Sequence, residues 1–231
     1  MNLQGKTILV TGSSSGIGRE TALQLTRERC RVILTYCKGE AAGKEVLKEC
    51  LKHGEAALYR LDVRDEGSIR RLVKSVTDRF SSLDILINVA GVLAENPLVE
   101  QSAENTANQV GVNLLGLINV TRSFLPLLYR QKEAVIVNIA SGLAKEVLPN
   151  LTVYCATKWG VRGFTRAIAL ELPDRVRVYC VNPGLTATRM TDYQGADPAD
   201  VAKIIVRTAA EKLRKKSGDD VDVWRHISQK Q

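Results

Sequence analysis

The sequence has only two histidines, His53 and His226, and five cysteines: Cys30, Cys37, Cys50, Cys155 and Cys180. No two of those cysteines stand at C-x-x-C spacing. A Cys/His zinc centre and a paired-thiol redox centre are therefore excluded, and no metal is expected. An odd set of unpaired cysteines reads as reduced thiols, which favours a cytoplasmic location. Met1–Gly5 runs straight into an apolar strand with no charged leader or cleavage site, so no secretory targeting is expected. No run approaches the roughly 20 apolar residues that span a bilayer, and no membrane partner is expected. Linkers, low-complexity tracts and repeats are also lacking, so residues 1–231 read as one domain. A chain of this size buries about 70% of the surface that unfolding exposes, so its core needs neither disulfides nor metal.

The charge is one-sided, with 33 Lys and Arg against 25 Asp and Glu, a formal +8. Such an excess can serve a nucleic acid. Here the basic residues are scattered, and only Arg214, Lys215 and Lys216 are adjacent. No aromatic residues are interleaved with them as stacking platforms. The excess reads as a solvated surface plus a site for an anionic cofactor, with no nucleic-acid partner.

What is present is a regular alternation. Apolar runs of strand length fall at Lys6–Thr11, Arg31–Tyr36, Ala56–Leu61, Asp84–Asn88, Ala134–Ala140 and Arg175–Val181, with a short last strand at Val221–Trp224. Helical periods lie between them: Gly16–Glu28, Glu40–His53, Glu66–Phe80, Gln101–Arg130, Val153–Leu172 and Pro198–Leu213. Val/Ile/Leu strands, each followed by a helix, predict an α/β fold: a Rossmann-type, doubly wound parallel sheet of about seven strands, helices on both faces. Pro173 stops one helix, and Asp197-Pro198 starts the next with a cap and a proline at the first helical position.

Thr11-Gly12-Ser13-Ser14-Ser15-Gly16-Ile17-Gly18 falls between the first strand and the first helix. Gly12 permits a tight turn, and Gly16 and Gly18 let the backbone approach phosphates and pack on the sheet. The free N–H groups of a helix N-terminus then face a pyrophosphate. Ser14, Ser15 and Ile17 belong to the same cradle. The spacing differs from the G-x-G-x-x-G fingerprint.

Only one of the six tyrosines, Tyr154, has a lysine four residues on, Lys158. On a helix the two side chains share a face. Ser141 lies thirteen residues before Tyr154 at a strand end, and Asn113 lies earlier, in the long helical region.

With these motifs the chain resembles the short-chain dehydrogenase/reductase family, over residues 3 to about 224. The resemblance implies an NAD(P)(H)-dependent oxidoreductase that interconverts a carbonyl and a secondary alcohol. Asn113, Ser141, Tyr154 and Lys158 match the family's tetrad. Asp62-Val63 resembles the segment that holds the adenine amino group. Asn88-Val89-Ala90-Gly91 resembles the Asn-Asn-Ala-Gly segment beside the cofactor, with Val89 where the family has its second Asn. Pro183-Gly184, with Thr186 and Thr188, resembles the segment that contacts the nicotinamide carboxamide.

The chemistry suits these residue types. Hydride delivery to a carbonyl carbon builds an oxyanion that must be protonated. Free tyrosine has a pKa of about 10, and a neighbouring ammonium lowers it. Lys158 is expected to do so, and the resemblance implies that it also holds the nicotinamide ribose. Ser141 orients the carbonyl and steadies the oxyanion. By resemblance, Asn113 supports a water that links Lys158 to solvent.

An NAD site usually carries an acid near the end of the second strand. This stretch reads Thr35-Tyr36-Cys37-Lys38, with Glu40 two residues beyond. Tyr36 and Lys38 are the expected contacts there, Lys38 pairs with a 2′-phosphate, and Arg19 is a second candidate. NADP(H) is favoured over NAD(H). Cys155 is expected to be a packed thiol, and Trp159 to point toward packing or a subunit partner. The resemblance implies a homodimer or homotetramer built on the two long central helices. Only about a dozen residues, Leu185 to Ala196, precede the next helix where family members often carry a longer lid. An open, shallow substrate pocket is expected, for a small carbonyl or an acyl thioester. Two other functions fit the fold. An NAD(P)-binding sensor without turnover would be favoured by loss of the tyrosine or lysine, and neither is lost. A basic nucleic-acid binder would show a steep salt dependence.

Overall fold

The computed structural model describes residues 1–227; residues 228–231, the end of the polar tail after Trp224, lie outside the described residues. Seven parallel strands form one sheet: β1 (Thr7–Val10), β2 (Arg31–Tyr36), β3 (Ala56–Arg60), β4 (Ile85–Asn88), β5 (Ala134–Ile139), β6 (Val176–Asn182) and β7 (Asp220–Asp222). Their spatial order is β3-β2-β1-β4-β5-β6-β7, and every pairing is parallel. The winding reverses between β1 and β4, where such sheets open a crevice at their carboxyl ends.

The helices are α1 (Gly16–Arg27), α2 (Glu40–Cys50), α3 (Glu66–Phe80), α4 (Ala103–Val110), α5 (Leu117–Leu128), α6 (Thr152–Ile168) and α7 (Pro198–Ala209). Alternation along the strands divides the core in two. Ile8 and Val10 pack with α1, α2 and α7, whereas Leu9 packs with α3, α5 and the end of α6. Both faces are covered, which is why the central strands are mostly apolar.

The region expected as one helix over Gln101–Arg130 is three pieces. A six-residue π-helical stretch, Gly111–Gly116, joins α4 to α5. It is closely packed at its end, where a Cβ at Gly116 would stand 2.6 Å from Val63 Cγ2. Taken together, Ala103–Leu128 is long and apolar enough to cross a membrane, an 18-residue stretch of it having a mean hydropathy of 1.3. Its Val120, Phe124, Leu127 and Leu128 are buried against the sheet. Asp197 caps α7 by accepting from Ala199 N at 2.8 Å, with Pro198 at the first helical position, as the sequence predicts. The predicted strand Val221–Trp224 shifts to Asp220–Asp222 and passes directly into a 3-10 turn, Val223–Arg225.

Candidate active site

At the carboxyl ends of β1 and β4 lies a cavity of about 400 Å³. Gly12, Ser14, Ser15, Gly16, Ile17 and Gly18 form one wall, and Val89, Ala90 and Gly91 another. Lys38, Asp62, Val63 and Thr188 close it. The glycines are there because nothing larger fits. A Cβ at Gly18 would stand 2.3 Å from Gly12 O, and one at Gly12 would stand 2.9 Å from Ala90 Cα. Ser15 is the N-cap of α1 but makes no side-chain cap bond. The first-turn N–H groups of α1 therefore open on the cavity without a side-chain acceptor. A glycine-lined turn with uncapped donors fits a dinucleotide pyrophosphate, and these residues would hold one.

Polar pegs fix the cradle, and the sequence reading missed them. Thr35 Oγ1 accepts from Gly12 N at 3.1 Å, and Thr35 N donates to Ser13 Oγ at 2.8 Å. Thr11 Oγ1 accepts from Val89 N and Ala90 N, at 2.9 and 3.1 Å, which ties β1 to the loop after β4. The backbone at Val89 thus gains a partner although its side chain has none to offer. A lone threonine inside an apolar strand, as in Val32-Ile33-Leu34-Thr35, was the available signal.

Other placements differ from expectation. Tyr36 is absent from the cavity wall. Its ring faces α2, with Cδ1 3.4 Å from where a Gly43 Cβ would be. Cys37 and Lys38, next along the chain, line the cavity instead. Arg19 is paired with Glu20 and does not line it. Asn88 also turns away. Its Nδ2 donates to Thr121 Oγ1 and Asn138 Oδ1, and Asn138 Nδ2 donates to Thr165 Oγ1. This ladder follows from register, because Asn88 and Asn138 are paired across β4 and β5. It pins α5 and α6 to the sheet.

Asp62 is engaged by a residue that was not anticipated. Arg64 donates to it through Nε at 3.0 Å and NH2 at 2.8 Å, and reaches Asn108 Oδ1 at 2.9 Å. The Arg64 hydrogen bond holds the Asp62 carboxyl down at about 2. Two further wall residues, Arg189 and Met190, come from the segment after β6. That segment doubles back, Thr186 bridging to Ala196. Thr188 caps a short turn and sets its methyl 3.1 Å from a Gly16 Cβ position. Pro183 O accepts from Gly142 N at 2.7 Å, Gly184 is exposed, and Thr186 Oγ1 donates to Gly184 O at 2.9 Å.

The expected tetrad residues come together beyond Gly91. A Cβ on Gly91 would stand 3.5 Å from Asn113 Oδ1 and 3.7 Å from Lys158 Nζ. Tyr154 and Lys158, one turn apart on α6, are both buried. Lys158 Nζ donates to Ile139 O at 3.0 Å and lies 5.6 Å from the centre of the Tyr154 ring. Ser141 lies two residues beyond β5 and accepts from Leu143 N at 3.1 Å, opening a 3-10 turn, Gly142–Ala144. Asn113 sits in the π-helical stretch with both amide donors used. Oδ1 accepts from Val92 N, and Nδ2 donates to Val92 O and Thr157 Oγ1. Thr157 in turn donates to Tyr154 O at 2.7 Å.

The electrostatics correct one expectation. Burial pushes the Tyr154 phenol up to about 12, which a Ser141 hydrogen bond opposes and Cys155 reinforces. Burial pushes the Lys158 ammonium down to about 8. In the chain by itself the phenol is not lowered below its ordinary value, because burial is the largest effect on both groups and penalises both charged forms. Cys155 is buried with Leu151 under Tyr154, as a packed thiol is, and Trp159 is half exposed beside Val147, Leu148 and Pro149.

Fold and cradle together define a nucleotide-binding α/β protein of the doubly wound class. Within that class, the chain belongs to the short-chain dehydrogenase family, whose model matches residues 6–199. It is 35% identical over 198 residues to a 3-oxoacyl-[acyl-carrier-protein] reductase from Synechocystis, covering 85% of this chain and 80% of that one. It is 32% identical over 224 residues to an NADP-dependent 3-hydroxy acid dehydrogenase from Schizosaccharomyces pombe, covering 88% and 86%. A solved dehydrogenase/reductase from Sinorhizobium meliloti superposes with a TM-score of 0.89 at 28% identity, covering 98% of each chain.

Proposed function

We infer that this single-domain oxidoreductase interconverts a carbonyl and a secondary alcohol, and uses NADP(H) in preference to NAD(H). The observation that carries the reading is the position of Gly91. It is on the wall of the nucleotide cavity and also within 3.7 Å, measured from its Cβ position, of the Lys158 ammonium. A bound dinucleotide would supply or accept the hydride. The chain's own groups do the rest. Tyr154, neutral well above pH 7, is in the form that gives a proton to a developing oxyanion. Lys158 holds the positive charge that a phenolate left behind would need. Ser141, still able to donate from its hydroxyl, orients the carbonyl. Asn113 fixes Val92 and α6, and its Oδ1, which has a lone pair beyond the bond from Val92 N, can accept from the water of a relay between Lys158 and solvent.

Two features support the cofactor preference. No acid stands at the end of β2, and Lys38 and Arg64 line the cavity at that end. One relative is named as NADP-dependent. For the substrate, the relatives named for 3-oxoacyl thioesters and 3-hydroxy acids favour a carbonyl β to a carboxyl or thioester group. The short segment Leu185–Ala196 leaves Leu185 and Tyr193 exposed, in keeping with an open pocket. A cytoplasmic homodimer or homotetramer acting on small molecules completes the reading, with no nucleic-acid or membrane partner. The test is nicotinamide absorbance with NADPH and then NADH against a panel of acetoacetyl thioesters, diketones and aldehydes. Faster turnover with NADPH on at least one β-oxo compound is expected. No turnover on any carbonyl, with NADPH bound tightly, would overturn the reading.

A further inference from the structure

Beyond the cavity, charge is gathered at a partly buried place beside β7. Lys145 Nζ donates to Asp222 Oδ1 at 2.7 Å and lies 3.4 Å from Asp220 Oδ2. Arg162, on α6, donates through Nε to both Asp220 oxygens, at 3.1 and 2.9 Å. Asn182, at the end of β6, donates to Asp220 at 3.3 Å and to Asp222 at 3.0 Å. Arg225 Nε comes within 3.3 Å of the second Asp222 oxygen. Asn182 is fully buried and Asp222 is 6% exposed. Two carboxylates and three cations thus join β6, β7 and α6 to one loop.

That loop is the one that carries Ser141. Ser141 opens the 3-10 turn, and Lys145 closes it as the C-cap. The turn has a second tie at its start, where Gly142 N donates to Pro183 O. Trp224 packs there as well, its Cζ3 3.4 Å from where a Gly142 Cβ would be. The far end of the turn is held by Lys145 reaching β7. Charges this deep cost desolvation, and apolar side chains would hold β7 to β6 at least as firmly. Holding a turn in one place is what the network does that an apolar contact would do less sharply.

We propose that Asp222, acting through Lys145, is a positioning residue that sets where the Ser141 hydroxyl stands relative to Tyr154. Neither residue touches the reacting atoms. The proposal rests on the carbonyl-reductase reading above.

The test uses the full chain and compares Asp222→Asn, Lys145→Met, the double variant and Asp222→Glu. The readouts are kcat and KM for an accepted carbonyl, the NADPH dissociation constant by fluorescence, and the thermal midpoint. Each single substitution is expected to lower kcat roughly tenfold, since small misplacements of a positioned group are costly. NADPH affinity is expected to stay within about twofold, because the nucleotide cavity is elsewhere. The double variant should be no slower than the slower single one, because the two residues act as a unit. Asp222→Glu keeps every charge and lengthens the link by one methylene, so it guards against a variant that fails to fold. It should lower kcat about threefold with an unchanged midpoint. A parental kcat in Asp222→Asn, additive losses in the double variant, or losses of kcat that only track the midpoint and NADPH affinity would overturn the proposal. Tyr154→Phe run beside them separates the two levels. Turnover that survives in Tyr154→Phe removes the reading and the proposal with it. Turnover that needs Tyr154 but ignores Asp222 removes only the proposal.

Discussion

The two halves of the sheet's carboxyl edge are built by different means. On the β1–β2 side, backbone N–H groups and small hydroxyls do the work. Thr11, Ser13 and Thr35 fix the turn, and glycines leave room for phosphate. On the β5–β7 side, long charged side chains do it. Lys158 is driven into the interior, and Lys145, Arg162, Asp220 and Asp222 brace the Ser141 turn. A diphosphate is recognised by shape and by N–H direction, which a side chain would obstruct. Proton transfer needs a charge held at one atom, and only side chains provide that. The cradle should therefore be intolerant of volume, and the catalytic side intolerant of lost charge.

The largest break of that contrast falls on the cradle. Gly18→Ala puts a methyl 2.3 Å from Gly12 O, a clash with backbone that no rotamer relieves. NADPH binding, followed by fluorescence titration, is expected to fall a hundredfold or more, roughly the loss of 3 kcal/mol. Binding within a few-fold of the parent would mean the turn is looser than drawn.

Next is Lys158. Its ammonium is neutralised as pH rises through about 8. A folded pKa below the usual lysine value means the folded state holds fewer protons than the unfolded one from about 8 to 10.5, so this group makes the fold more stable as pH rises across that window. Under the proposed function activity runs the other way, because the role proposed for Lys158 needs the charge. The pH profile of kcat/KM for NADPH, which reports free-enzyme groups, should be level below about 8 and fall above it. In Lys158→Met turnover should drop by about a hundredfold and the limb near 8 should vanish. A limb that persists in the variant would assign it to another group.

Thr35→Val sharpens the contrast from the cradle side. It removes the acceptor for Gly12 N and keeps the shape, so the cost is that of an unpaired buried group, about 1–3 kcal/mol, read as a lower thermal midpoint. The smallest effect expected is on cofactor choice. Lys38→Glu places an acid on the ribose side of the wall and should lower the NADPH-to-NADH ratio of kcat/KM about tenfold, by repulsion of a 2′-phosphate. An unchanged ratio would move the preference to Arg64.

Much of this fold is legible in the sequence because parallel strands covered on both faces are plain Val/Ile/Leu runs. Caps such as Asp197 mark where helices begin. The cradle and the Ser141–Tyr154–Lys158 spacing are legible for a similar reason, since each depends on residue type at a local turn or along one helix face. What stays hidden depends on neighbours far along the chain. The π-helical stretch at Asn113 packs by way of Gly116 against Val63, far away in the chain. Asn88 and Tyr36 lie at strand ends, where one residue more or less decides whether a side chain meets the crevice or a helix. Arg64 looks like any loop arginine until Asp62 and Asn108 are beside it. The direction of the Tyr154 shift depends on how deeply the site is buried, and the sequence spacing says nothing of depth.

The most direct test of the central claim is Tyr154→Phe, which removes one oxygen and leaves the ring in its packing. Turnover of NADPH with an accepted carbonyl is followed together with NADPH binding. The account predicts a loss of turnover of at least about a hundredfold, with the dissociation constant of NADPH unchanged within about twofold. Turnover near the parental rate in Tyr154→Phe would contradict it and place the proton donor elsewhere.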